Sequence, residues 1–159
     1  MKAASISELK QELQNISAKE ITDICLRLAR FKKENKELLS YLLFEAHDAE
    51  GYTEAVKITM GEAFKEVNTT NLYFAKKNLR RILRISNKHI KYTGNKLTEA
   101  TVLIHFCTLL KASSIKLQKS TALQKLYVQQ LKKINAAIAT LHEDIQYDLI
   151  KEVKKLEPG

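Results

Sequence analysis

Residues 97–110 of this chain, LTEATVLIHFCTLL, carry a single charge, Glu99. Read as a helix, this run has apolar side chains on nearly every side, and such a helix is buried among other elements. It is too short to cross a bilayer, which takes about 20 apolar residues. The rest of the chain is therefore read as packing around one buried helix.

The surrounding elements read as helices too. The 159 residues include four Gly and one Pro, and the Pro is second-last. Tight turns and sheets depend on these residues. Every apolar stripe steps by three or four, with no alternating strand pattern. At this length one domain, residues 1–159, is expected. About 70% of the unfolded chain's surface can be buried without a staple. The predicted fold is all-α: a compact bundle of five to seven helices, or a short solenoid-like stack of helical hairpins.

Along the chain, Ser7 is placed as the cap of a short helix ending at Gln14. Ser17 and Glu20 read as a capping box. The next helix is expected to bury Ile21, Ile24, Cys25, Leu28 and Phe31. After the polar FKKENK, Asn35 is a candidate cap for a helix carrying Leu38, Leu39 and Tyr41 to Phe44. Gly51 either breaks the chain or lies within a helix. Residues 53–67 set Val56, Met60, Ala63, Phe64 and Val67 on one side, and residues 68–71 form a loop. Ser120 caps the C-terminal segment. Apolar positions from 123 to 156 then step by about 3.67 residues, the period of a nearly straight helix. That permits one long helix, or two with a break near His142.

The net charge of +9 is unevenly placed. Residues 1–70 hold 10 basic and 12 acidic residues, residues 71–112 hold 9 and 1, and residues 113–159 hold 8 and 5. Within the predicted helix 72–92, Leu72, Ala75, Leu79, Ile82, Leu83, Ser86 and Ile90 share one sector. Lys76, Lys77, Arg80, Arg81, Arg84, Lys88 and Lys91 share the opposite one. Tyr73 lies within the basic sector, Phe74 and Tyr92 lie at its edge, and Asn87 lies beside it. Like charges at i, i+4 repel by a few tenths of a kcal/mol per pair. One reading of this face is a solvated surface, or one paired with Glu62 and Glu66. The other is a contact surface for an anionic macromolecule such as RNA or DNA, with the aromatics stacking on unpaired bases.

No enzymatic constellation appears. His47, His89, His105 and His142 are scattered, no Glu-x-x-His pair occurs, and no Gly-rich phosphate loop exists. Cys25 and Cys107 form no Cys-x-x-Cys and read as free thiols in apolar helical patterns. His105 and Cys107, two apart, point to different sides of a helix. No catalytic residue, metal or cofactor is expected. The opening MKAASISELKQEL lacks an apolar h-region, so the expected location is cytoplasmic, with no membrane partner. The functional expectation is a non-enzymatic protein that binds an anionic partner through the basic helix. The alternative is a protein-interaction or scaffold module with that face only solvated, including a homodimer through the C-terminal helix.

LRLARFKKENKELLSYLLFEAHD (residues 26–48) and LHEDIQYD (residues 141–148) resemble a family of small all-helical hypothetical proteins, and the likeness extends over most of the chain. The resemblance implies no activity, cofactor or functional residue. SELKQEL followed by SAKEI is also similar to the paired helices of the SAP DNA-binding motif. That motif's glycine-containing turn and basic second helix are absent, so nothing is carried over from it.

Overall fold

In the computed structural model, which describes residues 1–158, all regular elements are helical. They are α1 (Ile6–Gln14), α2 (Ala18–Phe31), α3 (Lys33–Ser40), a wide π turn (Tyr41–Glu45), α4 (Ala49–Lys65), α5 (Leu72–Thr93), α6 (Lys96–Ala112), a 3-10 turn (Leu117–Lys119), α7 (Thr121–Ile138) and α8 (Glu143–Lys154). The all-α class is as expected, with eight α-helices among the described residues. None of them is long and apolar enough to cross a membrane. The chain divides into two compact units, Met1–Phe44 and the remainder from Glu45.

The second unit is built on α6. Ala100, Val102, Leu103, Phe106, Cys107 and Leu110 of this helix are fully buried, because α4, α5 and α7 all pack against it. Phe106 meets Phe64 of α4 edge-to-face, ring centroids 5.5 Å apart, a geometry worth about 0.5–1.5 kcal/mol beyond burial. The polar residues at its start are satisfied: Thr98 Oγ1 lies 2.9 Å from Thr53 Oγ1, and Glu99 pairs with Lys96 at 2.9 Å.

The C-terminal segment is two helices. α7 ends at Ile138, and His142 caps α8 by accepting the Asp144 N–H at its Nδ1. Leu123, Tyr127, Leu131, Ile134, Ile138, Leu149, Val153 and Leu156 are buried, while Leu141 at the break is half-buried and Ile145 is exposed. The single stripe therefore survives the break at both ends. The Tyr127 hydroxyl ties the halves by donating to the Leu156 carbonyl.

The first unit departs most from expectation. Ser5, not Ser7, caps α1: the Glu8 N–H donates to Ser5 Oγ at 3.3 Å, and the Ser5 N–H donates to Glu8 Oε2 at 2.7 Å. Ser-x-x-Glu is the capping-box spacing, so the signal was present at Ser5. Ser17 caps α2 through the Glu20 N–H. Asn35 caps nothing; it lies inside α3 and its Nδ2 donates to the Leu28 carbonyl at 2.8 Å, holding the end of α2. Ile21, Ile24, Leu28 and Phe31 are exposed, and Cys25 is half-buried. Leu42, Leu43 and Phe44 are exposed as well, and Tyr41 is the one buried hydrophobic residue before Glu45.

Gly51 lies within the first turn of α4. Asp48 caps that helix by accepting the Gly51 N–H at 2.9 Å. A Cβ at Gly51 would collide with the same carboxylate.

Candidate functional site

The candidate site is the outer face of α5, and three asparagines decide where that helix begins. Asn71 Oδ1 accepts the N–H groups of Tyr73 at 3.0 Å and Phe74 at 3.2 Å, capping the first turn. Asn68 Oδ1 accepts from the backbone of Thr70 and Asn71, shaping the preceding loop. Asn78 Oδ1 accepts the Asn68 N–H at 3.1 Å and fastens that loop to the helix. At the other end Gly94, with φ +57°, donates its N–H to the Ile90 carbonyl. Left-handed φ suits Gly, which has no Cβ to clash.

Between these ends Ala75, Leu79, Ile82, Leu83, Ser86 and Ile90 are buried, and α4 and α6 are the helices that α5 packs on. The apolar sector is thus used as read from the sequence, and it forces the opposite sector outward. Lys77, Arg80, Arg81, Arg84 and Lys91 are exposed, and Lys76 and Lys88 are half-buried. Lys88 is engaged within the protein.

No acidic residue lies on α5. Among the described residues no carboxylate comes within 4.0 Å of Lys76, Lys77, Arg80, Arg81, Arg84 or Lys91. Glu62, one of the two acids considered as a partner, pairs instead with Lys65 at 2.9 Å. Those six cations are therefore without a counter-charge at ion-pair distance among the described residues.

The aromatics divide. Tyr73 and Phe74 are 61% and 48% exposed and stack edge-to-face at 5.3 Å, beside the basic run. Lys77 Nζ lies 6.0 Å from the Tyr73 ring. Tyr92, placed at the sector edge by angle alone, is buried. It meets His89 edge-on at 5.9 Å, and His89 Nδ1 lies 2.7 Å from the Tyr52 hydroxyl. That cluster fastens the end of α5 to α4 and offers no stacking surface.

His105 and Cys107 are not brought together for catalysis. Cys107 is fully buried, and burial pushes its thiol up to about 12. His105 is half-buried in an open groove with Lys57 and Glu54. Burial, then the neighbouring Lys57 ammonium, holds its pKa below the ordinary value. Asp48 and His142 are occupied as helix caps. Among the described residues, no group of three or more His, Cys, Asp or Glu side chains comes together to hold a metal.

Comparison with protein-family models, with curated proteins and with solved structures finds no match to this chain.

Proposed function

We propose that this protein binds the phosphate backbone of RNA or DNA through the exposed face of α5, as a non-enzymatic binding protein. The observation that carries the reading is that, among the described residues, no carboxylate lies within 4.0 Å of the exposed Lys77, Arg80, Arg81, Arg84 and Lys91. Guanidinium groups match phosphate oxygens with two parallel N–H bonds. From Lys77 to Lys91 the face spans about 21 Å of helix rise, roughly the length of six phosphates along one strand. The exposed Tyr73 and Phe74 rings suit stacking on an unpaired base, which every base permits. Asn87 is the one amide beside the run, too little for sequence readout. Binding is therefore expected to tolerate sequence and to favour nucleic acid with unpaired bases.

Binding of labelled single- and double-stranded nucleic acid across a salt series tests this. If about four basic residues touch B-form phosphates, log K falls against log salt with a slope near −3.6. Arg80→Glu with Arg84→Glu weakens binding to all sequences alike and flattens the slope by about 2. No binding at low salt would overturn the reading.

A second reading, a protein-interaction module with a merely solvated basic face, is favoured by the apolar side chains left exposed before Glu45.

A further inference from the structure

Those apolar side chains are arranged and not scattered. On α2, Ile21, Ile24, Leu28 and Phe31 are 36%, 41%, 55% and 77% exposed. Their spacing of three, four and three residues places them on one stripe, the seam that two helices interlock along. Leu26, Ala29 and Arg30, round the helix from the stripe, share a groove with Leu39 of α3 and Leu43 of the π turn. The stripe is therefore separate from the side that α3 occupies.

The charges of α2 are divided by end. Its first half carries Glu20 and Asp23 with Lys19, and its second half carries Arg27 and Arg30 and no acid. Among the described residues none of Glu20, Asp23, Arg27 and Arg30 has an opposite charge within 4.0 Å. Glu20 and Arg27 are seven residues apart, which puts them on the same flank of the stripe. Set a second α2 antiparallel on the first, and the acidic first half of each lies alongside the basic second half of the other. A parallel pair would set like charge beside like. The pattern is complementary to itself under a two-fold axis, as a homodimer interface must be.

We propose that α2 is the seam of a two-fold homodimer, paired antiparallel with α2 of a second copy. The inference is independent of what α5 binds. Sedimentation equilibrium of the full chain over a concentration series is expected to show twice the chain mass. Ile24→Glu with Leu28→Glu is expected to raise the dimer dissociation constant by about a hundredfold or more. Both side chains are exposed in the single chain, so far-UV circular dichroism is expected to stay the same. The orientation is tested by charge. Glu20→Arg with Asp23→Arg weakens the dimer, and adding Arg27→Glu and Arg30→Glu to that variant restores it. A wild-type chain that stays monomeric, including one that binds lipid vesicles or an unlike protein through this stripe, would overturn the proposal. So would a dimer that ignores Ile24→Glu with Leu28→Glu, or a fully inverted variant that fails to recover.

Discussion

The two cysteines of this chain are of one residue type in opposite circumstances. Cys107 is fully buried and its thiol is raised to about 12 by burial, so almost no thiolate exists at neutral pH. Cys25 is half-buried on α2. A thiol reagent added to the native protein is expected to modify Cys25 first, and Cys107 only on unfolding. Cys25→Ala should leave the native chain inert to the reagent until denaturant is added, as mass spectrometry would show. Rapid labelling of Cys107 in the native state would mean that the core around α6 opens. The apolar patterns around the two cysteines looked alike in sequence. What separates them is the number of neighbouring helices, which local spacing does not encode.

α5 shows how far an element can be read before its surroundings are known. Its apolar and basic sectors are so widely separated that the rise and turn of a helix suffice to assign them, and Leu79, Ile82, Leu83 and Ile90 are buried as assigned. Its ends are held by Asn71 and Gly94, each for a conformational reason. Asn71→Ala is expected to cost about 1 kcal/mol of stability. Gly94→Ala, at a positive φ, should destabilise by more than about 0.4–1 kcal/mol. Chemical denaturation would check both, and an unchanged midpoint for Gly94→Ala would mean that the turn relaxes. Which basic residues stand clear was not readable. Lys76, Lys88 and Tyr92 fall where the sector meets packed structure, and a 100° projection does not locate that margin. On α2 the stripe of Ile21, Ile24 and Leu28 was equally plain, yet it is exposed. Periodicity identifies the face that avoids water; it says nothing of what covers it. The sequence leaves the break at His142 as one of two options, since a stripe of 3.67-residue period reads alike across a continuous helix and a capped joint.

At the scale of the whole molecule, the excess charge and the excess apolar surface lie in different units. The unit ending at Phe44 holds eleven of the large exposed hydrophobics beyond Met1, while residues 71–112 hold 9 basic residues against 1 acidic. If the chain pairs through α2, each assembly carries two basic faces, and a nucleic acid long enough to reach both is held more tightly than by either alone. The lack of acids on α5 has a thermodynamic consequence as well. Arg80 and Arg84 stand four apart and repel, so folding brings together charges that the unfolded chain keeps apart. Added sodium chloride screens that repulsion. The melting temperature of the ligand-free chain is therefore expected to rise with salt, while the affinity for nucleic acid falls over the same range. Calorimetry and binding titrations on one salt series would show the two trends running in opposite directions. A polyanion should raise the melting temperature most in low salt, where the helix is least at ease alone. Electrolyte thus sets whether α5 is quieted by small ions or by a partner.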